Sequence, residues 1–414
     1  MNFSAKHKNP LLHAYVQVSF FAVFLVLCMF TGKYPWDSNP YNSFTLQACA
    51  WLNGRLDLGE NYPWLELAIY EGRYYVSFPP FPSFFLLPFA AVFGENTPET
   101  AISWGITMIG ISYAIRLCRL AKVSDDYIPF LVLFLYLANG YVFVGFTGWV
   151  WFFAQTLCFT LSLMALYYAW KGRVYYAWKG RGGIAFSCWI FAVGCRPMIL
   201  FYFPVLCVLL YRSSQKNKNI VSFFLKHMYW FVVPTIVGLA YLLLNALRFG
   251  DPFEFGHNYL PEFLEAPNGQ FSFKYLSNNL SSYLQAPKLS AESSKLYIDI
   301  YGGIAFWLVN PIFVVAFFLW IKELKHAGHE AFRSLRFLLP LSVFVHLLLI
   351  CCHKTLGGWQ FGNRYLVDFL PFQFQGILIW TRDMQLFKRR CSPLYALGIT
   401  MNLVGSAALY AEWL

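Results

Sequence analysis

Charged residues are scarce in this sequence. Asp, Glu, Lys and Arg together make up 12% of the 414 residues, against 58% hydrophobic ones. A soluble globular chain does not carry so little charge. Several short patterns of common enzymes are also missing: there is no Walker A loop, no G-x-S-x-G elbow and no H-E-x-x-H helix. P-loop ATPase, serine hydrolase and zincin readings therefore have no support. None of the ten cysteines stands in a C-x-x-C pair. Most lie in or beside apolar runs and read as small buried hydrophobes, not as a disulfide framework or a zinc site; only Cys49 and Cys391 read as loop residues.

Acidic residues are fewer than basic ones, 20 against 31, for a net charge of +11. The basic residues fall in short clusters between apolar runs, so the excess reflects membrane topology and not nucleic-acid binding. The long apolar runs are continuous, which excludes the alternating pattern of a β-barrel. Leu11 to Phe30 is the first of them: an uncharged stretch of 20 residues, enough at ~1.5 Å per residue to cross a ~30 Å hydrocarbon core. Lys6 and Lys8 precede it and no small-residue cleavage site follows, so it reads as an uncleaved anchor.

These runs predict an all-α polytopic membrane protein, a single integral membrane domain over 1–414. Eleven spans are expected, at about 11–31, 101–118, 128–146, 150–170, 183–195, 197–211, 222–247, 302–321, 335–351, 366–381 and 392–411. With the N-terminus cytoplasmic and the C-terminus outside, about two thirds of the Lys and Arg residues fall inside. About 15 of the 20 acidic residues fall outside. Two outer segments are long, 32–100 and 248–301, and both are too rich in aromatic residues and proline to be disordered linkers. Pro79 to Gly94 is apolar but short and holds four prolines. It reads as a juxtamembrane helix in the outer interface. A tandem repeat, "YYAWKGRV" then "YYAWKGRG" (Tyr167 to Gly182), reads as a local duplication at the inner headgroup layer.

The candidate site residues lie in or beside the outer segments. Asp37, in "PWDSNPY", reads either as a turn residue or as a carboxylate held at the lipid boundary to take a proton or hold a metal ion. Arg73, just before the juxtamembrane helix, has the planar fork that grips phosphate, and otherwise anchors the interface. Arg196 stands between two short apolar runs, where an intramembrane charge is a functional candidate. Arg364 and Asp368 are four residues apart at the outer start of a span, so a helix would pair them on one face. Glu254 and His257, in "RFGDPFEFGHNYL", could join acid–base chemistry or bind sugar hydroxyls. No ligand cluster predicts a metal, and no cofactor is expected, although a divalent cation beside Asp37 stays open.

The stretches "WDSNPYNSF", "NGRLDL", "YEGRYYVSFPPFPSFFLLPFAAVFG", "FGDPFEFGHNY" and "FGNRYLVDFLPF" resemble the GT-C class of membrane glycosyltransferases, specifically its bacterial branch of aminoarabinose and mannosyl transferase type. The resemblance implies many spans and a long first outer loop with an essential Asp, which falls on Asp37. It also implies a basic residue after the fifth span, which falls on Arg196. A second acid in the next outer loop is missing, because "GFTGWVWFFAQ" has no carboxylate; Glu66, Asp57 and Asp368 are the substitutes. The implied activity moves a sugar from a polyprenyl-phosphate-linked donor to a lipid, glycan or protein acceptor at the outer face of the plasma membrane. The partners are then that donor, membrane lipids and the acceptor, with no nucleic acid. Arg73, Arg196 and Arg364 would meet the departing phosphate and Asp37 the acceptor's proton. The rival is a transporter or flippase of lipid-linked sugars, which would use the same arginines.

Overall fold

The computed structural model of the chain describes residues 9–171, 181–212, 219–286, 288–289, 296–297, 303–327 and 335–412. Most of the second copy of the aromatic-basic repeat and part of 248–301 lie outside the described residues. The first span is α1 (Leu12–Thr31), ended by Gly32 at φ 66°, whose N–H returns to the Cys28 carbonyl at 2.8 Å. A left-handed glycine is the common way to satisfy a helix's last carbonyls.

The outer segment 32–100 holds α2 (Ser43–Leu52), a two-stranded hairpin and α3 (Phe81–Phe93), the apolar helix expected at Pro79 to Gly94. The hairpin was not anticipated by an all-α reading. Its strands β1 (Leu67–Tyr70) and β2 (Arg73–Val76) pair antiparallel, with Leu67 opposite Val76. The two turn residues, Glu71 and Gly72, both take positive φ, at 49° and 71°. A two-residue turn that matches strand twist demands that backbone, and glycine adopts it without strain.

The helical body follows: α4 (Glu99–Leu120), α5 (Ile128–Leu137), α6 (Tyr141–Phe146), α7 (Val150–Lys171), α8 (Arg181–Val193), α9 (Phe203–Arg212), α10 (Ile220–Lys226), α11 (Val232–Phe249), α12 (Pro261–Leu264), α13 (Leu276–Leu284), α14 (Phe306–Val309), α15 (Ile312–Ala327), α16 (Leu335–Cys351), α17 (Leu370–Trp380) and α18 (Met384–Tyr410). A second short strand pair joins 288–289 to 296–297. Six helices among the described residues are long and apolar enough to cross a membrane. They are α1, α4, α7, the helix continuing from Met228 through α11, α16 and α18.

The remaining expected spans are shorter or interrupted. The expected span 128–146 is cut at Asn139–Gly140, and 302–321 at Asn310–Pro311. Asn139 turns its amide back onto the Phe134 carbonyl at 2.6 Å, which caps α5. Its oxygen accepts from Ile312 N–H at 3.3 Å, while the Asn310 oxygen accepts from Gly140 N–H at 2.9 Å. Each break thus supplies the hydrogen bond that the other lacks. Broken backbone at membrane depth persists only where such partners exist.

Helix α7 is the centre of the body and is buried on nearly every face. It packs on α4, α8 and α17. A helix apolar all round belongs in a core. At one end of the body, Arg119 pairs with Asp125 at 3.3 Å and Glu323 bridges Arg336 and Arg382 at 2.7 and 3.0 Å. At the other end, the buried Glu99 carboxylate accepts from Thr45 Oγ1 at 2.6 Å and from the Asn39 amide. Asn39 also donates to the Gly148 carbonyl at 3.0 Å, and Gly148 N–H donates to Thr100 Oγ1 at 2.9 Å. This node fastens the first outer segment and the start of α7 to the head of α4.

A Cβ on Gly148 would lie 2.4 Å from the Thr100 backbone nitrogen. Gly148→Ala is expected to cost about 1–3 kcal/mol by overpacking. Gly105→Ala, in open space on α4, should instead stabilise by about 0.5–1 kcal/mol. Thermal unfolding of both variants in one detergent checks the contrast.

Candidate functional site

A cavity of about 350 Å³ opens among the start of α7, the residues after α8, the end of α16, the loop before α17 and both outer segments. Glu66, Arg196, His257 and Arg364 all line it. A larger groove of about 630 Å³ lies between α15, α16 and α17. Its walls are apolar apart from Gln373, so it offers no acid–base chemistry.

Arg364 sits at the end of a glycine-rich loop. Gly357, Gly358 and Gly362 all have positive φ. Gln360 accepts from Arg364 N–H at 2.8 Å and donates to the Leu356 carbonyl at 3.1 Å; the Gly357 carbonyl accepts from Arg364 Nε. Gly357 stands at φ 131°, where a side chain would be strained, and a Cβ there would also crowd the Gln360 oxygen at 2.6 Å, so glycine is favoured there. The guanidinium lies over the rings of Tyr365, Trp151 and Phe152, at 5.0, 5.8 and 5.8 Å. Arg364 is buried, and its Nη1 has no hydrogen-bond partner among the described residues. It is a preorganised cation with a donor to spare.

Arg364 does not pair with Asp368. Residues 364–369 form a 3₁₀ turn, not an α-helix. At three residues per turn, positions i and i+4 leave the shared face that 3.6 residues per turn would give them. Asp368 meets Arg196 instead, with Oδ2 accepting from Arg196 Nε at 2.8 Å. Its other oxygen accepts from Gln155 at 3.2 Å, and Gln155 also donates to the Arg364 carbonyl at 2.8 Å. Asp368 is 2% exposed, so a charged partner is needed to hold it ionised. Arg196 stands in extended backbone between α8 and the 3₁₀ turn Pro197–Tyr202, with its guanidinium 4.8 Å from the Tyr365 ring. Just before it, Gly194 lets the Tyr241 hydroxyl and Phe81 approach within a distance no Cβ would permit.

The first outer segment contributes Glu66, which accepts from the Trp151 indole N–H at 3.1 Å. The residue is open to the cavity, but protein surrounds its carboxyl on the remaining sides. That burial raises its pKa, with the Trp151 bond and the Arg364 charge acting in the opposite direction. The second outer segment contributes His257, whose Nδ1 lies 2.8 Å from the Ser77 carbonyl. The ring N–H is assigned there, which leaves the Nε2 lone pair for the cavity. Burial, reinforced by His353, pulls the His257 pKa down to about 4. Burial lowers His353 as well, and its Nε2 accepts from the Gln270 amide at 3.2 Å.

Five candidates do not line the cavity: Asp37, Asp57, Arg73, Glu254 and Asp368. Asp37 is exposed, and its Oδ2 accepts from Tyr34 N–H at 2.6 Å within a tight turn. Arg73, on β2, is exposed and 3.8 Å from Asp57. Sequence reasoning passed over Trp151 and Gln155 inside the stretch set aside for lacking a carboxylate. It also missed His346, a lone histidine in an apolar run, which is buried on α16 with Nδ1 3.3 Å from the Tyr202 hydroxyl. A polar side chain interrupting an otherwise apolar span was the available signal. Among the described residues, no group of three or more His, Cys, Asp or Glu is placed to hold a metal ion. Cys49 and Cys391, expected in loops, lie on α2 and α18.

Two outcomes follow from this geometry. Asp368→Ala strands Arg196, and its cost should sit near the lower end of the ~3–5 kcal/mol for a broken buried pair, because Arg196 keeps 23% of its side chain accessible. The double variant R196Q/D368N should recover part of that loss in thermal unfolding. The pKa of His257 is about 4 when folded, against an ordinary value of 6.5. Between those values the unfolded chain binds more protons, so stability is full above pH 6.5 and falls as the pH drops toward 4. His257→Asn should flatten that part of the profile of unfolding against pH.

No protein-family model and no curated protein matches the chain. Among solved structures, the Archaeoglobus fulgidus oligosaccharyltransferase in its apo form is similar over 97% of this chain and 56% of its own, at 13% identity and a TM-score of 0.51. The same enzyme tethered to an acceptor peptide containing the NVT sequon gives 97% and 55%, 12% identity and 0.49. The archaeal oligosaccharyltransferase AglB in complex with an inhibitory peptide and a dolichol-phosphate gives 96% and 56%, 12% and 0.45. The chain therefore spans little more than half the length of that enzyme, and at such identity the likeness is one of fold. The chain thus shares the fold of that oligosaccharyltransferase, over about half of that enzyme's length.

Proposed function

We propose that the chain is a membrane glycosyltransferase that moves a sugar from a polyprenyl-phosphate-linked donor to a lipid, glycan or protein acceptor. The observation that carries this reading is the single cavity faced by two arginines, Arg196 and Arg364, with Glu66 and His257 on its other walls. Glycosyl transfer from a lipid phosphate breaks the bond between sugar C1 and a phosphate oxygen. The departing oxygen gathers negative charge, and fixed cations beside it lower the barrier. Arg364 is the stronger candidate for that contact, because Asp368 already balances Arg196. The likeness to an oligosaccharyltransferase fold supports the reaction class.

The cavity lies at the expected outer end, opposite the Arg119–Asp125 and Glu323 pairs. We place it at the outer face of the plasma membrane, with the N-terminus cytoplasmic and the C-terminus outside. The shorter helices complete eleven spans, and α3 lies in the outer interface. The bare apolar faces of α1 and α11 suit contact with membrane lipids. The proposed step uses no cofactor.

In cells lacking the protein, Arg364→Gln should fail to restore the surface glycan, with donor lipid accumulating in the outer leaflet at equal membrane levels of variant and wild type. The expected loss in rate is about 10²–10³-fold. Full restoration of the glycan would overturn the reading, and donor trapped in the inner leaflet would replace it with a flippase.

A further inference from the structure

Transfer to a hydroxyl also needs a group that takes the acceptor's proton. The residue expected to do this, Asp37, spends its Oδ2 on a turn and does not line the cavity. We propose that Glu66 is the proton acceptor of the reaction, held in place by Trp151; this rests on the glycosyl-transfer reading above.

Three observations support the assignment. Glu66 lines the same cavity as both arginines. One carboxylate oxygen is fixed by the Trp151 indole at 3.1 Å, and the other takes no hydrogen bond among the described residues. Trp151 also carries the Arg364 guanidinium near its ring, 5.8 Å from the centroid. One rigid side chain thus sets the spacing between the carboxylate and the unpaired cation, so an acceptor hydroxyl on Glu66 lies beside a sugar whose phosphate is on Arg364.

Asp368, beside Arg196, and His257, on the cavity wall, are poorer candidates. Both oxygens of Asp368 are occupied, by Arg196 and Gln155. His257 has a free Nε2, but burial makes its imidazole a weaker proton acceptor, at about 4. For Glu66 burial acts in the opposite sense and raises proton affinity, which favours taking a proton from a hydroxyl. The charges acting on Glu66 are Arg364, which opposes that rise, and Glu262, which adds to it. His257 and His353 stand on the other walls of the cavity.

In the step, the acceptor O–H proton passes to the free Glu66 oxygen as the acceptor oxygen bonds to sugar C1. The bond from C1 to the phosphate oxygen breaks, and its electron pair leaves on the polyprenyl phosphate against Arg364. Atoms and charge balance without a co-reactant. Trp151 is a positioning residue here: losing its N–H would free the carboxylate and raise its proton affinity further.

The test uses full-length protein in lipid nanodiscs. The probe is the membrane extract of cells lacking the protein, which supplies the polyprenyl-phosphate sugars together with the unmodified acceptor, and the readout is release of polyprenyl phosphate across a pH series. Wild-type rate should fall at acid pH as Glu66 protonates. Glu66→Gln should lose at least ~10²-fold in kcat and lose that acid limb, while still binding undecaprenyl phosphate as wild type does. Glu66→Asp should regain part of the rate, Trp151→Phe should move the limb to higher pH, and Asp37→Asn should leave both rate and limb in place. The assignment is overturned if Glu66→Gln keeps the wild-type limb, or if Asp37→Asn abolishes it. A Glu66→Gln protein that also loses undecaprenyl phosphate binding would mark a structural role and equally overturn it. If wild type releases nothing from the pool and Arg364→Gln binds undecaprenyl phosphate unchanged, it is the glycosyl-transfer reading that fails.

Discussion

A buried carboxylate sets the terms for the whole cavity. Asp368 is nearly sealed from solvent, and an anion in so dry a place must be paired or lose its charge. It takes Arg196 from the end of α8 and Gln155 from α7, and Gln155 in turn holds the Arg364 carbonyl. Three separate stretches of chain are brought to one point by that satisfaction. Because Asp368 is committed to Arg196, Arg364 has no ion-pair partner among the described residues.

Arg364 in turn depends on backbone that is not helical. A regular α-helix through 364–369 would have given its charge to Asp368. The 3₁₀ turn and the glycine-rich loop hold it over aromatic rings instead. Irregular backbone recurs in the body: at Arg196 beside the cavity, and away from it at Asn139–Gly140 and Asn310–Pro311. In each place side chains or opposing breaks take up the hydrogen bonds that a helix would have made.

Much of this was legible in the residues. Apolar runs marked the helices because the period and length of a run are local properties. Arg196, Arg364 and Asp368 stood out as charges where burial is costly, and Glu66 and His257 as outer-segment acid–base candidates; all but Asp368 line the one cavity. The pairing of Arg364 with Asp368 was misread, since spacing predicts a shared face only if the helix type is known. The hairpin 67–76 was hidden by aromatic and β-branched residues that suit interfacial helices as well. Gln155 and Trp151 carried no charge to attract notice, yet one supports Arg364 and the other joins it to Glu66. Asp37, expected either in a turn or in catalysis, accepts from Tyr34 N–H in a turn and does not line the cavity.

The helix α11 has a further consequence. Only 17% of its most apolar window is buried within the protein, yet it leads directly into the segment that carries His257 and Glu262. One wall of the cavity is therefore hung from an apolar strut that the rest of the protein leaves largely uncovered. The tilt of such a strut answers to bilayer thickness as well as to protein contacts. The width of the cavity is thus a joint mechanical property of the protein and its membrane, and lipid composition becomes a tuning variable for the spacing of the groups that line it.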